Sequence, residues 1–158
     1  MIYNVSDAGI KEAKHIYQIS KGRKNARGLE PGENTPWQAI ASEFALSETI
    51  GLPRVDQWQG ADVGNRLSVK TIINPELNLI VPPSHVKRDL VYVLMGLISN
   101  DPVTFTCYGY ATADEVIWSP KIDPNRRNSP IHLILKESLH SAPETVEDWL
   151  LLDKHGGF

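Results

Sequence analysis

Glu43, Asp62 and Lys70 are the residues whose types and order could do chemistry in this chain. Carboxylate oxygens are hard ligands that suit Mg²⁺ or Mn²⁺, and such an ion polarises a phosphate and acidifies a bound water. A nearby lysine positions or activates that water and offsets the charge that builds on the phosphorus oxygens. Two carboxylates and an ammonium therefore suit phosphodiester cleavage. Each residue also has a plainer reading. Glu43 would flank a helix, Asp62 would brace a glycine-containing turn through its own backbone, and Lys70 would guard a sheet edge. The decision rests on whether the chain brings the three together.

The elements that must do so can be read from periodicity. Ser6 to about Lys24 reads as a first helix, with Ser6 as cap, Asp7 at its positive end and Lys21 to Lys24 at its negative end. Thr35-Pro36-Trp37-Gln38 has the form of a capping box with proline at the first helical position, and Trp37, Ile40, Ala41 and Phe44 share one face of the helix that follows. Gly51 can close that helix and Pro53 prevents its continuation. Glu43 flanks the apolar face, so its carboxylate can point into a cleft beside the core.

The period then changes to two. Leu67, Val69 and Thr71 alternate with Ser68, Lys70 and Ile72, which predicts a strand with one buried face. Asp62 lies just before it, ahead of a hairpin-like turn. Asn78 to Val81 is a short strand, Asp89 to Ile98 a central strand buried on both faces, and Val103 to Ala111 another strand. Thr112 to Glu115 begins a short helix, Ser119 to Pro130 is a loop, and Ile131 to Leu135 is a last strand. Ser141-Ala142-Pro143-Glu144 is a second capping pattern, opening a terminal helix over about 142–152. Helices, then strands, then a helix predict a single α/β (α+β) domain over 1–158, with its core at about 36–118.

Those residues carry a resemblance. Ser42-Glu43-Phe44-Ala45, Gly51, Gln59-Gly60-Ala61-Asp62-Val63-Gly64 and Leu67-Ser68-Val69-Lys70-Thr71 look like a group of small phage and prophage proteins. These are similar to the PD-(D/E)XK nuclease superfamily. Leu79-Ile80-Val81-Pro82, Leu90 to Leu94 and Tyr108-Gly109-Tyr110 continue the pattern, and the resemblance spans roughly Pro36 to Trp118. It implies a restriction-endonuclease-like mixed β-sheet flanked by helices, and Mg²⁺-dependent cleavage of DNA. Asp62 would be the central metal ligand, Glu43 the helix carboxylate that helps hold metal or water, and Lys70 the catalytic lysine. The backbone carbonyl of Val69 would be a further ligand. One residue departs from the pattern, because Ser68 stands where the superfamily has its second acid. A neutral hydroxyl holds Mg²⁺ weakly. Glu43 can replace the missing carboxylate, with Asp56 and Glu48 as poorer substitutes. The alternative is an inactive nuclease scaffold that binds DNA or a host protein, such as a phage counter-defence or regulatory factor.

Other candidates are secondary. Trp58, Ser68, Lys87 and Arg88 are expected substrate contacts, and His85 shares the loop of the last two. The tryptophans otherwise suit the core. A lone Cys107 excludes a disulfide framework and a cysteine-based zinc site. The net charge of −3 is not that of a protein coating nucleic acid nonspecifically, although a local basic groove is compatible with it. No stretch approaches the roughly 20 apolar residues that span a bilayer. These features predict a cytoplasmic protein without a membrane partner, and fold-level analogy with double-strand cutters adds an expected homodimer.

Overall fold

The fold is organised around the most apolar segment of the chain. In the computed structural model, which describes residues 1–20, 36–55, 60–123 and 130–156, Val91 to Met95 are completely buried. They open the strand β4 (Val91–Asn100). Before it come β1 (Tyr3–Asn4), α1 (Asp7–Ser20), α2 (Trp37–Ile50), β2 (Leu67–Ile72) and β3 (Leu79–Val81). After it come β5 (Val103–Thr112), α3 (Ala113–Ile117), β6 (Lys121–Ile122), β7 (Ile131–Ile134) and α4 (Val146–His155). The main sheet has the order β1-β5-β4-β2, and a second sheet has the order β3-β7-β6. β2 runs parallel to β4, placing Lys70 opposite Leu94, while β4 and β5 are antiparallel.

Side chains alternate across a strand, so β4 offers one set to each side. Val91, Val93 and Met95 pack with Leu67 and Val69 against Ala13 of α1, Ala41, Ala45 and Leu46 of α2, and Trp149 of α4. Tyr92 and Leu94 pack with Ile72 on the opposite side, against Leu79, Val81 and Ile134 of the second sheet and Val116 of α3. The protein is thus a mixed α/β unit of three layers: helices, main sheet, and second sheet with α3. This corrects the expectation of one buried face for β2. Ser68 and Ile72 are also buried, because the second sheet covers the side assigned to solvent.

Several element ends differ from the sequence pattern. Pro36 occupies the cap position of α2 and not its first helical position; Thr35 lies outside the described residues. Gly51 closes α2 in the left-handed region, at φ 74°. Residues 21–24, assigned to the first helix, also lie outside the described residues. The last helix begins at Val146, not near Ala142, and extends to His155. Its cap is Thr145, whose hydroxyl accepts the Asp148 amide at 3.1 Å, with Glu147 and Asp148 favouring the positive end of the helix. The segment before it cannot coil, because His140 is held extended by a bridge to Tyr110.

α4 also fixes the turn that carries Asp62. Asp153 is buried, and its carboxylate accepts the amides of Asn65 and Arg66, each at 2.8 Å. Gly64 makes room for it: φ is +62°, and a Cβ there would stand 2.7 Å from an Asp153 oxygen. Removing the carboxylate leaves two amides without their acceptor. Asp153→Ala is expected to lower unfolding stability by about 2–4 kcal/mol, measured by urea denaturation. A loss below about 0.5 kcal/mol, the range of ordinary surface substitutions, would contradict this role.

Candidate functional site

β2 is the outer strand of the main sheet, and its free edge opens on a cleft of about 440 Å³. α2 supplies one wall with Ala39 and Glu43. Asp62, Val69, Lys70 and Thr71 form the edge, and Ile80, Pro82 and His85 close the opposite side. Glu43, Asp62 and Lys70, 27 positions apart in sequence from first to last, therefore line one cavity.

Each is held by a specific local arrangement. α2 is pinned beside β2 by the buried Ser42, whose hydroxyl lies 2.5 Å from Thr71 Oγ1 and donates to the Ala39 carbonyl at 2.7 Å. That contact sets Glu43 at the strand edge. The chain leaving α2 then pairs with the turn: the Val55 amide donates to the Asp62 carbonyl and the Gly64 amide to the Pro53 carbonyl, both at 2.8 Å. This brings Arg54 onto Glu43, with Nε donating to Oε1 at 2.9 Å. Phe44 lies under the same guanidinium, 4.9 Å from its ring centre.

Asp62 is tied to the strand directly, since its Oδ2 accepts the Val69 amide at 2.7 Å. A residue in a strand sends its N–H and C=O to the same side. The Val69 carbonyl consequently leaves β2 on the Asp62 side, away from β4. Glu43, Asp62 and Val69 line the cleft, and carboxylate and carbonyl oxygens are the donor types a hard cation takes. Among the described residues, no three histidine, cysteine, aspartate or glutamate side chains form a metal-binding group.

The electrostatics follow from burial and from opposed charges. Burial and the neighbouring Asp62 carboxylate raise Glu43 above the usual carboxylate range, and Arg54 opposes the shift. Lys70 is lowered by burial, with Asp62 and Glu43 acting the other way. His85, whose Nδ1 lies 2.9 Å from Lys70 Nζ, is pushed down to about 4 by burial and by Lys70.

No family model, curated protein or solved structure matches the chain. The functional reading therefore rests on the cleft itself.

The remaining sequence-derived candidates do not gather there. Ser68 is buried and does not line the cleft. Lys87 and Arg88 are exposed and also do not line it. Trp58 and Asp56 lie outside the described residues. Glu48 instead accepts from the amide and hydroxyl of Ser6, at 2.8 and 2.7 Å. Among the tryptophans, Trp149 is core but Trp118 is 85% exposed. Arg54 was not legible as a site residue, because the pairing that delivers it has no periodic signature. His85 had a cue in its place between two strands, but its contact with Lys70 requires the three-dimensional turn.

The raised pKa of Glu43 has a definite consequence. In the folded protein Glu43 keeps its proton at pH values where the unfolded chain has lost it. The folded state then binds more protons, so the stability contribution of this group falls as pH rises above the ordinary carboxylate range. Glu43→Gln keeps the shape and cannot ionise. Its stability relative to the natural sequence should rise between about pH 5 and about pH 8, by at least about 1 kcal/mol, in urea titrations at the two values. A difference that stays constant would contradict the shift.

Proposed function

We propose that the protein is a phage-type nuclease of PD-(D/E)XK character, with a restriction-endonuclease-like core, which hydrolyses DNA phosphodiester bonds with Mg²⁺ or Mn²⁺. The observation that carries this reading is the convergence of Glu43, Asp62 and Lys70 on one cleft at the free edge of β2. Mg²⁺ commonly keeps several waters and needs only one or two protein carboxylates. Glu43, Asp62 and the Val69 carbonyl fit that requirement without an acid at position 68. Bound there, the ion would polarise the phosphate and acidify a water.

The chain's own residues have separable roles in this reading. Asp62 is pre-oriented by the Val69 amide and supplies the least mobile ligand. Glu43 would have to give up its proton to hold the ion, so metal affinity would increase with pH. It would also exchange its bond to Arg54 for one to the ion. Lys70 places its nitrogen beside the phosphate oxygens and offsets their growing charge. The partner is DNA.

A second reading has its own observation. Arg54 already holds the Glu43 carboxyl oxygen at 2.9 Å, in the place a cation would take. A scaffold without catalysis, binding DNA or a host protein, would have use for such a permanent pair. A cleavage assay separates the two. Supercoiled, linear and single-stranded DNA are incubated with Mg²⁺, Mn²⁺ or EDTA, beside Asp62→Asn and Lys70→Met. Metal-dependent cutting that falls at least about 100-fold in each variant, the scale of a lost electrostatic catalyst, is the expected result. Cutting that persists undiminished in both variants overturns the site assignment. No cutting on any substrate, with no rise in melting temperature on adding Mn²⁺, favours the non-catalytic reading.

A further inference from the structure

One contact in the cleft joins two nitrogens that both bind protons, Lys70 Nζ and His85 Nδ1, 2.9 Å apart. Two fully protonated groups at that distance would repel, and neither would offer a lone pair. One hydrogen must therefore lie between them, with a lone pair opposite it. The surroundings select the arrangement. Burial lowers Lys70 while Asp62 and Glu43 act the other way, and burial and Lys70 push His85 down to about 4, which leaves a neutral imidazole with one ring nitrogen able to accept. With Lys70 as the donor across this contact, Nδ1 accepts and the single ring proton of His85 sits on Nε2.

The imidazole is held in place for this contact. His85 ends a short 3₁₀ turn, Pro83–His85, with its amide bonded to the Pro82 carbonyl at 2.9 Å. Behind it stands Tyr92 on the central strand. The tyrosine hydroxyl donates to the His85 carbonyl at 2.7 Å and accepts the Lys87 amide at 2.8 Å. One phenol thus ties both sides of the turn to β4. Tyr92 is fully buried, so the anchor shares the rigidity of the core. A long, flexible lysine side chain would otherwise lose much of its precision at the strand edge.

We propose that His85 is a positioning residue for Lys70, its Nδ1 lone pair taking one ammonium hydrogen and leaving two for a phosphate group in the cleft. The catalytic consequence rests on the nuclease reading given above, whereas the pair itself can be observed without any cleavage. The first measurement is ¹⁵N NMR of the histidine rings near neutral pH, in the natural sequence and in Lys70→Met. The expected result is the Nε2–H tautomer for His85, relaxing to a mixture when Lys70 is absent. A proton on Nδ1 in the natural sequence, or a tautomer unchanged by Lys70→Met, overturns the proposal.

The second measurement applies to the cleavage activity. The side-chain oxygen of asparagine can stand close to the position of Nδ1 and accept the same hydrogen. His85→Asn should therefore keep at least about tenfold more kcat than His85→Ala, about 1.4 kcal/mol in barrier terms, with KM nearly equal. Equal losses in the two variants would contradict positioning through an acceptor. A protein that cuts no DNA removes the nuclease reading alone, and the ring tautomer then decides whether the pair exists.

Discussion

The first half of β4 is buried on both faces, and the rest of the architecture answers to that constraint. Val91, Val93 and Met95 need an apolar cover on one side, and Tyr92 and Leu94 need another on the opposite side. α1, α2 and α4 provide the first; β3, β7 and α3 provide the second. Once both covers are in place, β2 can pair with β4 on one side only. Its outer edge is left as a trough between α2 and the second sheet. Backbone polar groups at such an edge still need partners. Asp62 takes one of them, the Val69 amide, and in doing so places a carboxylate on the rim. The cleft is therefore a by-product of covering β4 twice.

Charge balance is the second organising feature. The cleft region sets the carboxyl groups of Glu43 and Asp62 against Arg54 and Lys70, and burial pushes Glu43, Lys70 and His85 each toward the neutral form. Isolated charges would be costly in so buried a place, whereas compensated ones are tolerated. Breaking one pair leaves its partner uncompensated, so these side chains act as a set. An arriving dication would have to take over part of what Arg54 now does for Glu43. That exchange gives the cleft a means of distinguishing a loaded from an unloaded state without moving the backbone.

The fold was legible wherever local pattern and burial coincide. The run from Asp89 to Ile98 announces a central strand, found at Val91–Asn100, and Gly51 with Pro53 announces the end of α2. The short strands β1 and β6 were not legible, since two residues carry no periodicity. β2 misled for a different reason. Ser68 and Ile72 look like part of a solvent-facing row but are buried, Ile72 against β3 and β7, and the period of a strand does not report a layer that later residues will lay over it. The same limit applies to the cleft. Glu43, Asp62 and Lys70 were visible by type and order. Arg54, Asp153 and Tyr92 were not, because their parts depend on long-range contacts: an ion pair, a bracket on the Asn65 turn and an anchor for His85.

We propose that the edge of β2 presents a cation site made from Glu43, Asp62 and the Val69 carbonyl. The most direct test is a crystal structure with Mn²⁺, using anomalous scattering to locate the ion. The account predicts a peak within coordination distance of Asp62 and of the Val69 carbonyl, with the Glu43 carboxylate turned from Arg54 toward the ion. A cleft without anomalous density at saturating Mn²⁺, and Arg54 still bonded to Glu43, would contradict it.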